Sequence, residues 1–338
     1  MVKLLVTGGA GFIGSNFVRY WSGAHPGDDI VVLDALTYAG CRESLADVED
    51  AIRFVHADIA NTGHVLEVLD RYAIDVVVNF AAESHNSLAI VDPERFFRTN
   101  VMGTVGLLEA ARAYGGLTRF HHVSTCEVYG DLDLDAEDAF TESSPYRPRT
   151  PYNASKAGAD HAVRAYALTY GLSVSITNCA NNYGPYQFPE KLIPLFTALA
   201  LQDQPLPLYA SKDNRREWIH VLDHARAIDL VLHKGASGET YHVGTGSEFS
   251  IEDIADRILA ELGKPSVLKT TVPDRPSHDR RYLLDSSKIR TELGFVPGVQ
   301  FDQGIRETIA WYRSHESWWR PLLGRSPIQE AAAWQPGS

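Results

Sequence analysis

The chain has 338 residues, 44% of them hydrophobic and 22% charged, a globular balance that can fill a large core. Its 31 Lys and Arg stand against 43 Asp and Glu, a formal net charge of −12. That excludes the electrostatic footprint of a general nucleic-acid or anionic-membrane binder. The three cysteines (Cys41, Cys126, Cys179) form no C-x-x-C pair and the 13 histidines show no H-E-x-x-H spacing. The expectation is a reducing, cytoplasmic setting with no metal, no signal peptide and no membrane span.

In chain order, short apolar runs at 3–7, 29–33, 54–57, 75–80 and 120–124 read as buried strands. Amphipathic stretches such as 13–21 and 100–114 read as helices between them. A helix over 155–170 and a strand over 174–178 continue the alternation. The pattern predicts an α/β fold, a Rossmann-type doubly wound parallel sheet. Beyond Cys179 the texture changes: 181–194 is rich in Pro, Gly and aromatics. A helix (193–201), a strand (216–221), a helix (222–233), a strand (239–244) and a helix (250–262) follow. The domain reading is a cofactor-binding domain over 1–178 with returning segments at about 216–244, a smaller substrate-binding lobe over 179–325, and a loose tail over 326–338.

The stretch Thr7-Gly8-Gly9-Ala10-Gly11-Phe12-Ile13-Gly14 follows the first strand and opens a helix. Gly9, Gly11 and Gly14 fit G-x-G-x-x-G, and Gly8, Gly11 and Gly14 fit G-x-x-G-x-x-G. Glycine permits the tight turn and close approach of a pyrophosphate, and the helix N-terminus supplies N–H donors. Asp34 closes the second strand, where a carboxylate accepts ribose hydroxyls and repels a 2′-phosphate, so NAD is expected rather than NADP. Asp58, after 54–57, is suited either to the adenine amino group or to a plain helix N-cap.

Tyr152 and Lys156 stand four apart, on one helical face. They follow the strand that ends in Ser124-Thr125, at the sheet edge where such folds build their sites. A tyrosine with pKa near ~10 is a poor base at neutral pH. Lys156 and a positively charged nicotinamide would lower that value and let Tyr152 take a hydroxyl proton as hydride passes to NAD.

On Gly8–Gly14, Ser124, Tyr152 and Lys156, the sequence resembles the extended short-chain dehydrogenases. The closer resemblance is to dTDP-glucose 4,6-dehydratases. It is carried by Asp34-Ala35-Leu36-Thr37-Tyr38-Ala39-Gly40, Ala81-Ala82-Glu83-Ser84-His85, Thr99-Asn100-Val101, Asn178 through Tyr186, Phe188 through Pro194, and Asp274 through Tyr282. The resemblance implies C4 oxidation of a nucleotide-diphosphate hexose, loss of water across C5–C6, and hydride return to C6. It further implies cofactor contacts from Phe12, Ile13, Ile59, Ala81, Ala82 and Ser124, and a catalytic role for Thr125. Substrate contacts are implied from Ser84, His85, Asn86, Asn182, Lys191, Leu192, Tyr209, Arg216, Arg275 and His278, with Tyr209 on the base and the two arginines on the diphosphate. A homodimer through helices near 100–114 and 155–170 is implied as well.

Two departures stand out. The family's strand ends Thr-Asp-Glu, with Asp as acid and Glu as C5 base; here it reads Thr125-Cys126-Glu127. Glu127 keeps the base, and Cys126 becomes either a weaker proton donor or a buried small hydrophobe. After His85 the family's Val-Asp-Arg-Ser is replaced by Asn86-Ser87-Leu88-Ala89, in a segment that would line the hexose pocket. Thr-Cys-Glu also resembles nucleotide-sugar 5,6-dehydratases, which return the hydride to C4 and leave a 5,6-ene. A nucleotide-sugar 4-epimerase and a non-catalytic NAD-binding protein are the remaining alternatives.

Overall fold

The structure is a computed structural model that describes residues 1–327; most of the tail read at 326–338 lies outside the described residues. The strands are β1 (Lys3–Thr7), β2 (Asp29–Asp34), β3 (Ile52–His56), β4 (Val76–Asn79), β5 (Arg119–Thr125), β6 (Val174–Cys179), β7 (Asn181–Tyr183), β8 (Leu206–Tyr209), β9 (Arg215–His220), β10 (Thr240–Val243), β11 (Glu248–Ser250) and β12 (Lys269–Val272). The helices are α1 (Phe12–Ala24), α2 (Thr62–Tyr72), α3 (Asn86–Val91), α4 (Pro93–Phe96), α5 (Thr104–Tyr114), α6 (Pro151–Tyr170), α7 (Leu192–Leu201), α8 (Val221–Lys234), α9 (Ile251–Leu262), α10 (Ser287–Leu293), α11 (Phe301–Ser314) and α12 (Glu316–Trp319).

Seven parallel strands form the main sheet in the order β10-β6-β5-β4-β1-β2-β3. Strand alternation sorts its side chains. Leu5, Val31, Leu33 and Val77 face α2, α5 and α6, packing with Val65, Leu107 and Val163. Leu4, Val6, Val32 and Val78 face α1 and α8, packing with Phe17, Trp21 and Ile228. The strand order reverses between β1 and β4, the switch point at whose carboxyl edge a crevice opens.

A second core lies beyond β6. Ile193 and Phe196 of α7, Ile254 and Ile258 of α9, and Ile305 and Ile309 of α11 close around Leu206, Leu208 and Trp218. One part of the sequence reading changes here. In the returning stretch, α8 and β10 join the main fold, but β9 pairs with β7 and β11 in a separate three-stranded sheet. The helix read at 100–114 begins as π-helical turns over Phe97–Gly103 and becomes α5 only at Thr104. Among the described residues no helix is long and apolar enough to cross a membrane.

Candidate active site

A cleft of about 400 Å³ runs from the glycine loop, across the ends of β1, β4 and β5, to the N-terminus of α7. Gly8, Gly11, Phe12, Ile13 and Gly14 line one end. Gly8 has φ +66, and a Cβ there would stand 2.6 Å from the backbone N of Ala81; one on Gly14 would stand 2.4 Å from the carbonyl of Gly8. These two glycines let the loop, β4 and α1 close together. Gly11 is the N-cap of α1, which has no side-chain cap and no acid in its first turn. Its unpartnered N–H groups are therefore left for an anion in the cleft. Those features fit a dinucleotide pyrophosphate.

Asp34 is buried on the same wall. Its Oδ2 accepts from the Ala10 N–H at 2.9 Å and its Oδ1 from the Leu36 N–H at 2.8 Å. Burial raises its carboxyl, and those two donors oppose the rise. Each oxygen keeps acceptor capacity for a hydroxyl. Asp58 and Ile59 line the cleft beside it, and Ala81 and Ala82 face it from the end of β4. Asp58 accepts from the Ala60 N–H at 2.9 Å, while the N-cap of α2 is Asn61, so Asp58 shapes a turn and is not that helix's cap.

At the far end of β5, Ser124, Thr125, Glu127, Tyr152 and Lys156 all reach the cleft. Thr150 caps α6 through the Asn153 N–H, which fixes the first turn bearing Tyr152. The Tyr152 hydroxyl bonds Thr125, and burial drives it well above the ordinary phenol value, with the Glu127 charge adding to the rise. This is opposite to the direction expected from Lys156. The Lys156 ammonium is turned to the Val123 carbonyl at 2.8 Å and to His122 Nε2 at 3.3 Å, and burial lowers its own pKa. Behind it, buried Asp160 accepts from the hydroxyls of Ser124 at 2.9 Å and Tyr146 at 2.8 Å. The Ser124 hydroxyl is thus committed to Asp160.

Glu127 lines the cleft, and dehydration raises its carboxyl; the Asn86 amide opposes this by donating to Oε2 at 3.0 Å. Asn86 in turn accepts from the Thr150 hydroxyl at 3.0 Å. The departure from the family after His85 is therefore a direct partner of the candidate base.

Cys126 does not line the cleft. It lies between two cleft residues, but the 3₁₀ turn over Cys126–Tyr129 points its side chain back into a cluster with Val128, Ala157, Tyr282 and Leu284, where it is 1% exposed. Burial raises its thiol well above the usual range. Packing, the blander of its two readings, is what the geometry supports.

The substrate residues divide. Ser84, Asn86, Asn182, Lys191 and Leu192 line the cleft; His85, Tyr209, Arg216, Arg275 and His278 do not. The Asn182 amide is engaged within the protein, by the Ala180 carbonyl at 3.0 Å and His224 Nδ1 at 2.9 Å. Lys191 donates to the Ser84 carbonyl at 2.6 Å. His85 is buried 3.6 Å from Glu190, and dehydration pushes its pKa down to about 3. The Arg216 guanidinium, expected at the diphosphate, donates to the carbonyls of Asp279 at 2.7 Å and Arg280 at 3.2 Å and lies over the Tyr282 ring. It braces the 279–282 segment. Arg275 differs: its Nη1 is buried with no hydrogen-bond partner, and its charge acts on Glu127, His85 and His278. Tyr209 packs edge-on to His278 at 5.0 Å, and His278 Nδ1 meets the Ser211 hydroxyl at 2.9 Å. Among the cleft residues that the sequence does not single out are Trp218, whose Nε1 is buried and unpartnered, and Gln187, whose Oε1 is likewise. Gln187 lies in the Pro- and Gly-rich 181–194 stretch, and Trp218 reads from its strand as one more apolar core residue.

A family model described as GDP-mannose 4,6 dehydratase matches residues 5–308. The dTDP-glucose 4,6-dehydratase of Mycobacterium tuberculosis is 49% identical over 322 residues, covering 95% of this chain and 96% of its own. The chain belongs to the dTDP-glucose 4,6-dehydratase family. Another relative of that name, from Salmonella typhimurium, is 46% identical over 94% of each chain. Among solved structures, the dTDP-glucose 4,6-dehydratase DesIV of Streptomyces venezuelae, with NAD and TYD bound, superposes with TM-score 0.92 at 50% identity, over 95% of this chain and 100% of that one. The fold extends to a Thermus thermophilus UDP-glucose 4-epimerase in complex with NAD, with TM-score 0.85 at 31% identity, over 93% and 100%.

Proposed function

We propose that the chain is an NAD-dependent dehydratase that converts dTDP-glucose to its 4-keto-6-deoxy sugar. The carrying observation is the convergence of Tyr152, Lys156 and Glu127 at one end of a cleft whose other end is an uncapped helix N-terminus beside Asp34. The relatives' names and the NAD in the neighbouring structures support the same reading.

NAD, when bound, would supply the hydride acceptor and a positive charge to this end of the cleft. The glycine loop holds the pyrophosphate through its backbone N–H groups, and Asp34 holds a ribose. Tyr152 takes the C4 hydroxyl proton, with Thr125 bonded to its oxygen, and Lys156 supplies a buried cation on the same helical face. The 4-ketone acidifies the C5 proton; Glu127 removes it and, now protonated, hands it to the departing C6 hydroxyl so that water leaves, after which the hydride taken from C4 is returned to C6 and C5 regains a proton from solvent. Arg275, whose charge reaches Glu127, supplies a cation behind the cleft for the nucleotide-sugar's anionic end. Glu127 favours elimination over simple epimerisation at C4, because inversion at C4 requires no carboxylate base for C5. The turning of Cys126 away from the cleft takes support from the 5,6-ene outcome, which rested on that residue.

The setting is cytoplasmic in this reading, and the enzyme is a homodimer. Exposed Phe97 and Met102 on the 97–103 helical turns, and Leu168 and Tyr170 on α6, supply an apolar surface on the segments expected to pair. Light scattering should report twice the chain mass. For the chemistry, Tyr152→Phe should abolish substrate-dependent NADH formation while still binding the nucleotide sugar. NADH appearing at the unmodified rate in that variant overturns the assignment.

A further inference from the structure

On the back of the fold, α1 and α8 bring together His25, Asp229 and His233, whose ligand atoms all lie within 4.8 Å of one another. His25, the C-cap of α1, places Nε2 3.1 Å from Asp229 Oδ2. His233, in the last turn of α8, places Nδ1 2.7 Å from Asp229 Oδ1. The group is held from several sides. The Trp21 ring lies 4.2 Å from that of His25 and stacks at 5.6 Å on that of His233, and the two imidazoles stack at 5.2 Å. Tyr20 donates its hydroxyl to Asp229 Oδ2 at 2.6 Å. Asp229 is mostly covered while both imidazoles are partly open, so the group faces outward to solvent.

We propose that His25, Asp229 and His233 form a binding site for a divalent transition-metal ion of the zinc class, with water completing the coordination. Two imidazole nitrogens and one carboxylate oxygen suit zinc-like ions; calcium and magnesium take oxygen-rich sets. Bonds of about 2.0–2.2 Å to a tetrahedral ion put its donors about 3.3–3.6 Å apart. The two imidazoles now meet different oxygens of Asp229, and His233 Nδ1 also meets the Asp229 carbonyl at 3.0 Å; to bind an ion the nitrogen–oxygen pairs open slightly and the donors, within 4.8 Å of one another, draw around it. Tyr20 plays the outer part usual at such sites, orienting the carboxylate. Arg226, whose charge reaches Tyr20, is itself paired with Asp223 at 3.0 Å and so is not committed to Asp229. The ion would tie the C-terminal end of α1 to α8, at the end opposite the glycine loop. Its role is structural, and the dehydratase chemistry does not need it.

The test uses the full chain, freed of metal with a chelator and then titrated with Co²⁺ and, separately, Zn²⁺. The proposal expects the visible absorption bands of tetrahedral Co²⁺, saturating at one equivalent, and a Zn²⁺-dependent rise in Tm. Both should be lost in His25→Gln/His233→Gln, with binding at least about tenfold weaker in either single variant. Chelation should leave turnover unchanged. Absence of the bands in the unmodified protein overturns the proposal, as does their persistence in the double variant. A Tm that responds to pH but not to Zn²⁺ also overturns it and leaves an ion pair alone. None of these readings depends on the identity of the sugar substrate.

Discussion

Asn86→Leu probes the candidate base through its one side-chain donor. Asn86 gives its amide to Glu127 Oε2 at 3.0 Å, and this bond is the chief influence opposing the rise that dehydration imposes on the carboxyl. A hydrogen bond to a charged group contributes about 1.5–3 kcal/mol. At 1.36 kcal/mol per unit, its loss should raise the Glu127 pKa by about one to two units. Leucine is close to asparagine in volume, and the Thr150 hydroxyl that Asn86 accepts still caps the Asn153 N–H at 3.2 Å. The fold should therefore survive. A general base works when deprotonated, so the acidic limb of the kcat/KM profile should move up by one to two units while the alkaline limb stays. The assay is dehydration rate against pH, with Tm measured alongside. An acidic limb that does not move, in a folded variant, refutes Glu127 as the titrating base or Asn86 as its tuner.

Glu127→Gln should be inactive in elimination but more stable than the unmodified chain. The folded pKa of Glu127 is raised, so the native state holds its proton more tightly than the unfolded chain does, and stability is lost as pH climbs from the normal carboxyl value through the folded one. The Tm gain of the Gln variant should accordingly be larger at pH 8 than at pH 5, as calorimetry would show; an equal gain at both contradicts the raised pKa. Cys126→Ala should keep dehydration within about tenfold, since the thiol sits in the Val128–Tyr282 cluster, whereas Cys126→Asp should lower Tm by burying a carboxyl without a partner. A Cys126→Ala enzyme that binds substrate but cannot expel water would restore the thiol to the mechanism. Asp34→Ala should weaken NAD and narrow its advantage over NADP, read by titration of each; tighter NADP binding by the unmodified chain contradicts the ribose assignment.

The main sheet was legible because its strands carry dense local patterns: Leu4, Leu5 and Val6 pair with Ile30, Val31 and Val32 in a parallel register that apolar runs announce. The glycine loop, Asp34, Tyr152 and Lys156 were legible for the same reason, being local motifs at strand ends. The three-stranded sheet was not. β7 and β11 are three residues each, and β9 reaches its partners through Asn181↔Trp218 and Glu248↔Glu217, pairings with no local signature. Residue type alone also carries no direction. Arg216 has the chemistry of a phosphate clamp, yet its donors face backbone carbonyls. Cys126 has the position of an acid, yet a 3₁₀ turn rotates it out of the cleft. His25 and Asp229 are 204 positions apart, and no spacing rule joins them.

The most direct measurement is a single incubation with dTDP-glucose and NAD in deuterated water, followed by NMR and mass spectrometry of the product. The account predicts loss of one water, a 4-keto-6-deoxy sugar with the former C4 hydrogen on C6, and solvent deuterium at C5. A product with an exocyclic 5,6-ene and its hydrogen retained at C4, or one of unchanged mass inverted at C4, would contradict it.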